Sequence, residues 1–418
     1  MMNDLKAFNP HSDPVELALT GSKSETNRLL VLQALWPQIK LENLAQCDDA
    51  FVMTGALNKS QGTIDVGHAG TAMRFLTAYF SCLPGTSVIL TGSQRMKERP
   101  IGILVDALCN LGAKIKYIGR QGYPPISIQG QSIKGGVIQM SGSVSSQYLT
   151  ALMLVASKFE QGLTIDINDT LTSLPYLKMT ARMLQKLGVQ VGLNDDKIVV
   201  SRARTTTGPA DLGAQNWQIE SDWSGASYWY SMVALEPKCR VILRNFKEQS
   251  LQGDRVIATL FEQLGVQTVF DDHKQSIMLS GTDTQLPASI EWDLIDTPDL
   301  AQTIAVCCFG LGIGCHLTGL HTLKIKETDR LTALSDELTK LGGSVKVSQN
   351  SLSLSPRQTA IISDALIETY NDHRMAMAFA PLVARTSLRI ANPEVVSKSY
   401  PNFWNDMIRC GLEWSQRN

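Results

Sequence analysis

The sequence predicts an α/β protein of two similar domains, each holding three copies of one helix-plus-hairpin unit. Three observations carry that prediction: an internal repeat, the glycine that closes each copy, and the length. Four segments, LVDALCNLGAKIKYI, ARMLQKLGVQVGL, VIATLFEQLGVQTVF and ALSDELTKLGGSVKV, share an amphipathic helix that ends in Leu-Gly and runs into an alternating strand. Their glycines, Gly112, Gly188, Gly265 and Gly342, recur at intervals of 76, 77 and 77 residues. A fixed period of this kind marks repeated supersecondary units rather than accidental spacing. A chain of 418 residues is also too long for one ordinary core.

Each copy can be justified locally. In LVDALCNLG, Leu104, Leu108 and Leu111 fall on one helical stripe. Glycine follows because it enters the left-handed conformation past a helix end without a steric penalty. The apolar period then changes to two in VQVGL and VQTVF, and a second strand follows in KIVVSR and SIMLSG, as in a hairpin. Weaker copies stand at VMTGALNKSQGTIDV and MIRCGLEW, which makes six. The turn-rich Glu220-Ser221-Asp222, before SGASYWYSMVAL, is the expected boundary. The first 20 residues carry the strand VELAL and could complete either half; they are assigned to the second. The expected domains are therefore 21–221, and 1–20 with 222–418.

Composition narrows the function. Hydrophobic residues make up 44% and charged residues 18%, as in a globular protein. The 38 basic and 39 acidic residues nearly cancel, so no global field recruits nucleic acid or an anionic membrane. The eight cysteines form no CxxC pair and no finger-like spacing with histidine, so neither zinc nor a disulfide framework is expected. No apolar run approaches the roughly 20 residues of a membrane span, and no signal peptide is recognised at the start. A cytoplasmic protein without metal or cofactor is expected.

Chemistry gathers where strands lead into helices. Gly21-Ser22-Lys23-Ser24-Glu25-Thr26-Asn27-Arg28 combines turn formers, hydroxyls and cations at the start of LLVLQAL, with Arg28 one turn past Ser24. Gly67-His68-Ala69-Gly70-Thr71 leaves bare backbone before another helix, with Thr71 as the expected N-cap. Arg99 precedes Pro100, which constrains its backbone. Ser145, Ser146 and Gln147 open YLTALMLVA, and Ser173 and Tyr176 flank a later helix start. In the second half, Asp299 opens LAQTIAVCCFG, Lys326-Glu327-Thr328-Asp329-Arg330 places Lys326 and Arg330 four apart, Asn371-Asp372-His373-Arg374 opens MAMAFAPLVA, and Lys398 lies near a Pro turn. Taken alone, most of these segments read first as a helix cap or a solvated charge run. Together they read as a receptor for phosphorylated, carboxylated ligands built from helix N-termini and cations.

On these residues the chain resembles the 5-enolpyruvylshikimate-3-phosphate synthases of the enolpyruvyl transferase family. GSKSxTNR, AGTAMR, RMKERPI, SVSSQ, KETDR and YNDHRMAM occur in the family's order. The resemblance implies two domains of three βαβαββ-type repeats each, arranged like inverted α/β barrels, with ligands in the interdomain cleft. It implies that Ser24, Arg28, Ser145, Ser146, Gln147, Ser173, Tyr176, Asp299 and Lys326 hold shikimate 3-phosphate, with Thr322 where an Asn often meets the phosphate. It implies that Gly70, Arg99, Arg330, Arg374 and Lys398, sharing Gln147, hold phosphoenolpyruvate, and that Lys23 meets both substrates. Three residues depart from the family pattern: His68 for Asn, Phe75 for Pro, and Thr322 for Asn.

The implied reaction protonates the methylene of phosphoenolpyruvate, adds the shikimate 5-hydroxyl at C2 and expels phosphate, in the pathway to chorismate and the aromatic amino acids that glyphosate targets. It needs a base at the hydroxyl and an acid at the carbon. Asp299 is assigned as base. Glu327 and Lys23 remain alternatives for the acid. The related transferase on UDP-N-acetylglucosamine and a silent phosphometabolite-binding protein stand as other readings. The expected partners are the two small substrates, and the expected working unit is a monomer.

Overall fold

A computed structural model describes residues 2–143, 145–203 and 215–417. Val144, inside the hydroxyl-rich segment 141–147, lies outside the described residues. The chain packs as two compact units, one of residues 23–219 and one of residues 1–22 with 220–418. The crossings fall two residues inside the expected 21–221. Gly21 bridges Ser221, and the Ser22 amide donates to the Glu220 carbonyl, so all four residues pack with the second unit.

In unit 23–219 two sheets repeat one plan. Gln61–Asp65 runs parallel to Ser87–Thr91, which pairs antiparallel with Ile126–Gln129, and that strand with Lys114–Tyr117. Gly136–Met140, Leu163–Ile167, Lys197–Val200 and Val191–Leu193 repeat the order. A helix links each parallel pair, Gly70–Ser81 in one and Ser146–Ala156 in the other, and a second helix precedes each hairpin. This is the βαβαββ order. The third sheet differs: among the described residues it has two strands, Ile39–Glu42 and Gln215–Gln218, in parallel.

Among the described residues, unit 1–22 with 220–418 has three four-stranded sheets. One is continuous in sequence, from Ser289–Asp293 to Leu352–Leu354. The other two borrow strands from the beginning of the chain. Val15–Leu17 runs parallel to Val241–Arg244, and Met2–Phe8 inserts between Leu388–Ala391 and Leu412–Arg417, antiparallel to both. That pairing is why residues 1–20 pack with this unit.

The repeat glycines show why the period is legible. Gly112, Gly188, Gly265 and Gly342, and Gly411 in the last copy, all take φ between 77° and 117°. A side chain would strain the backbone at each of these helix ends.

Each unit has its own apolar core. At its centre lie helices buried nearly all round: Lys23–Leu35, Gly70–Ser81 and Ser146–Ala156 in one, Trp223–Leu235, Ala301–Leu311 and His373–Phe379 in the other. A helix apolar on every face must be surrounded by other elements, so the sheets lie outside. Lys23, Gly70, Ser146, Asp299 and Arg374 stand at or just before the N-termini of five of these helices.

Candidate active site

In unit 23–219 the predicted residues come from helix starts and the loops before them. Lys23 is the first residue of Lys23–Leu35, and its Nζ lies 3.8 Å from Asp49 Oδ2. Gly70 opens Gly70–Ser81, whose N-cap is Ala69 rather than the expected Thr71. Thr71 Oγ1 instead accepts from Gln147 Nε2 at 3.3 Å, which ties this helix start to that of Ser146–Ala156. A Cβ on Gly70 would stand 2.7 Å from Arg99 Nη1 and 2.8 Å from Arg74 Nη1, so any side chain there would push two guanidiniums aside. His68 is anchored by a 3.0 Å hydrogen bond between its Nδ1 and Ser93 Oγ.

The hydroxyl loop is braced from behind. Asp169 accepts from Ser141 Oγ at 2.6 Å, from Ser143 Oγ at 2.9 Å, and from the Gly142 and Ser143 amides. Those donors, Ser141 first, hold its carboxyl below the usual carboxylate range. Ser145 caps Ser146–Ala156 by accepting from the Gln147 amide at 3.4 Å. Ser173 sits at φ 53°, left-handed for a residue with a side chain, at the start of Leu174–Lys186. Such strain is kept where surrounding structure enforces it.

Arg28 does not project as a loose cation. Its Nε donates to Thr180 Oγ1 at 2.9 Å and its Nη1 to the Ser24 carbonyl at 2.8 Å. Its Nη2 reaches Thr150 Oγ1 at 3.5 Å and the Tyr176 carbonyl at 3.4 Å. The rings of Phe75 and Tyr176 lie 5.6 and 5.5 Å away. Burial pushes its pKa down to about 10.

In the other unit the predicted charges form one connected network. Asp299 stands in the short turn Pro298–Leu300 that leads into Ala301–Leu311. Its carboxylate receives Arg330 Nη1 at 3.0 Å and Arg374 Nη2 at 2.9 Å, with Lys326 Nζ at 3.5 Å. Arg330 also reaches Asp372 at 2.6 Å and Glu327 at 3.1 Å. Glu327 completes the chain with Lys398 Nζ at 2.6 Å.

Helix capping fixes both arginines. Asp329 caps Arg330–Lys340, and Asp372 caps His373–Phe379 by accepting from the Arg374 amide at 2.9 Å. Asp372 is therefore both an N-cap and an ion-pair partner. Burial alone would lower the Arg330 pKa; Asp372, Glu327 and Asp299 override it and hold the guanidinium above the usual arginine value. A quarter of the Lys326 side chain stays open, yet desolvation of its ammonium, helped by the nearby Arg330 charge, lowers its pKa against the pull of Asp299. The Thr322 hydroxyl is buried without a hydrogen-bond partner among the described residues.

Sequence reasoning missed three positions. Asp49, beside Lys23, lies in the first turn of Asp48–Leu57, a segment that carries no motif. Ser224, read only as the start of the helix after the domain boundary, contacts Arg374 Nη2 at 3.4 Å. Asp254, in a loop that showed no motif, accepts from Ser224. Among the described residues no group of three or more His, Cys, Asp or Glu is arranged to hold a metal ion, and no helix is long and apolar enough to cross a membrane.

Comparison with known proteins agrees with this arrangement. The model of the EPSP synthase (3-phosphoshikimate 1-carboxyvinyltransferase) family matches residues 53–407. A 3-phosphoshikimate 1-carboxyvinyltransferase of Bacteroides fragilis is 40% identical over 406 residues, 96% of this chain and 97% of that protein. That of Pasteurella multocida is 36% identical and covers 94% of each chain. Among solved structures, an EPSP synthase from Acinetobacter baumannii superposes with a TM-score of 0.78 at 20% identity, covering 99% of this chain and 100% of that one. An enolpyruvyl transferase from Streptomyces tendae does so at 0.71 and 12%, covering 99% and 98%; both establish the two-domain α/β fold. With a matching family model over most of its length and relatives of 36–40% identity end to end, the chain belongs to the EPSP synthase family.

Proposed function

We propose that this chain transfers the enolpyruvyl group of phosphoenolpyruvate to the 5-hydroxyl of shikimate 3-phosphate and releases phosphate, the activity of a 3-phosphoshikimate 1-carboxyvinyltransferase in aromatic amino acid biosynthesis. The observation that carries the reading is Asp299, a carboxylate held among Arg330, Arg374 and Lys326 inside the matched family region. A receptor for anions needs those cations. It does not need a carboxylate in their midst unless a proton must move.

Asp299 takes the proton of the attacking hydroxyl as its oxygen bonds to C2 of phosphoenolpyruvate. Glu327 or Lys23 delivers a proton to the methylene, which becomes a methyl group. In the second half the methyl gives one proton back, the C2–O bond to phosphate breaks, and the enol ether forms. Arg99, Arg330, Arg374 and Lys398, with the backbone at Gly70 and the amide of Gln147, hold phosphoenolpyruvate. Ser24, Arg28, Ser145, Ser146, Ser173, Tyr176, Thr322 and Lys326 hold shikimate 3-phosphate, and Lys23 serves both. Preset cations at the leaving oxygen need little reorganisation as charge develops. When phosphoenolpyruvate draws Arg374 from Asp299, the carboxylate is left better able to accept a proton. The enzyme works in the cytoplasm as a monomer.

Phosphate release from phosphoenolpyruvate, followed with shikimate 3-phosphate and then with UDP-N-acetylglucosamine, tests the assignment. Turnover is expected with the first acceptor only. Release with the nucleotide sugar, or with neither, would overturn it.

A further inference from the structure

Helix Trp223–Leu235 begins beside Arg374, and none of its residues belongs to the machinery assigned above. Its N-cap, Asp222, accepts from the Gly225 amide at 3.1 Å. Ser224, in the first turn, makes two contacts that point in opposite directions. Its Oγ donates to Asp254 Oδ2 and accepts from Arg374 Nη2 at 3.4 Å. A hydroxyl has one proton. With that proton given to Asp254, Ser224 can only accept from the guanidinium, so the chain Arg374 to Ser224 to Asp254 has a fixed sense.

The far end of this chain is anchored. Asp254 lies in the turn Gly253–Val256, and the residue before that turn, Gln252, clamps it to the helix start. Gln252 Oε1 accepts from the Trp223 amide at 3.0 Å, while its Nε2 donates to the Ser221 carbonyl at 2.9 Å. Asp254 itself is buried, and its Oδ1 has no hydrogen-bond partner among the described residues. A half-satisfied buried carboxyl is poor structural material, since an apolar residue would fill the space without the desolvation cost. Its retention beside the site calls for a use.

We infer that Asp254 is a positioning residue for phosphoenolpyruvate binding, fixing the Arg374 guanidinium through the Ser224 hydroxyl. Arg374 is located on one side by Asp299, through Nη2 at 2.9 Å and through Nη1 to the Asp299 carbonyl at 3.2 Å. That side is the one the reaction disturbs, because Asp299 must change protonation. The Ser224–Asp254 side takes no part in the chemistry and remains as a tether for the guanidinium when its contact with Asp299 is given up to phosphoenolpyruvate. The inference rests on the reading of Arg374 as a phosphoenolpyruvate ligand.

The charged groups facing Asp254 are Asp299, Arg374 and Asp222. Burial first, then the Asp299 charge, pushes its pKa up to about 6 against the pull of Arg374. Below that pH the protonated carboxyl can turn donor toward Ser224, which frees the hydroxyl proton to rotate toward Arg374 and weakens the acceptor there.

The test measures the KM for phosphoenolpyruvate, kcat, and the Kd of shikimate 3-phosphate alone in Ser224→Ala, Ser224→Thr, Asp254→Asn, the Ser224→Ala/Asp254→Asn double variant and Arg374→Gln. Ser224→Ala is expected to raise the KM about tenfold and Asp254→Asn about fivefold, the size of a lost hydrogen bond to a charged group. The double variant should be no worse than Ser224→Ala, because both act on one chain. Ser224→Thr should restore the KM, and the Kd of shikimate 3-phosphate should stay within about twofold throughout. The rise in KM between pH 7 and pH 5 should be smaller in Asp254→Asn than in the wild type. If Arg374→Gln leaves the KM unchanged, the reading of Arg374 fails and takes the inference with it. If Arg374→Gln raises it while Ser224→Ala and Asp254→Asn do not, the positioning role alone is overturned. Equal loss of shikimate 3-phosphate affinity would mean a structural tie and would also overturn it.

Discussion

Arg28 and Arg330 are both buried arginines near a helix start, one in each unit, and they are solvated in opposite ways. Around Arg28 the partners are neutral: hydroxyls of Thr150 and Thr180, carbonyls of Ser24 and Tyr176, and two aromatic faces. Around Arg330 they are the carboxylates of Asp299, Glu327 and Asp372. The pKa values follow, down to about 10 for the first and up for the second. Neutral partners solvate a charge without cancelling it, so Arg28 keeps its positive field for a ligand anion. Carboxylates cancel it, and Arg330 is foremost the joint of an ionic network. One unit thus buries an arginine among neutral partners, and the other buries one among acids.

The contrast can be broken most forcefully at Arg330. Arg330→Met leaves three carboxylates near one another without their common partner, and should cost about 3–5 kcal/mol of stability. A urea midpoint close to wild type would show that the network is not the joint described. Next in size is Asp299→Asn, which keeps hydrogen bonding but removes the proton acceptor. kcat is expected to fall by roughly 10²-fold or more while shikimate 3-phosphate still binds. An unchanged kcat would move the base elsewhere and leave the second unit a receptor like the first. The smallest effect belongs to Phe75, whose buried ring forms one face of the Arg28 cage. Phe75→Leu should raise the KM for shikimate 3-phosphate about two- to fivefold, in line with a cation–π contact of about 1 kcal/mol. No change would show that Tyr176 and the oxygens suffice.

The sequence exposed what is decided locally. Helix starts, their caps and the left-handed glycines obey rules that span a few residues, so the helix entries at Arg330 and at Asp372-His373-Arg374 are legible in the sequence. Thr71 shows the limit of the same rules: a threonine after glycine reads as an N-cap, yet its hydroxyl is taken by Gln147 from another helix. Arg28 is legible as a cation but not as one turned inward, because its hydrogen-bond partners other than Ser24 lie 122 to 152 residues away. Asp49 and Asp254 left no signal, since each gains meaning only from a neighbour supplied by distant chain. The third sheet of unit 23–219 was expected to match the other two; its described part is a parallel pair drawn from both ends of that unit.

The threading of Met2–Phe8 between Leu388–Ala391 and Leu412–Arg417 sets an order of events during synthesis. On a ribosome, residues 23–219 emerge in full long before the last of those strands, and that unit can bury its core while translation continues. The strand 2–8 must wait, its backbone unpaired and its apolar Leu5 and Phe8 in water, until nearly 400 residues have followed it. Closing so long a loop costs only slightly more than closing a short one, so the delay is a matter of time rather than equilibrium. The exposed interval, during which another chain could take the place of the missing neighbours, is the vulnerability this threading builds into the newborn protein.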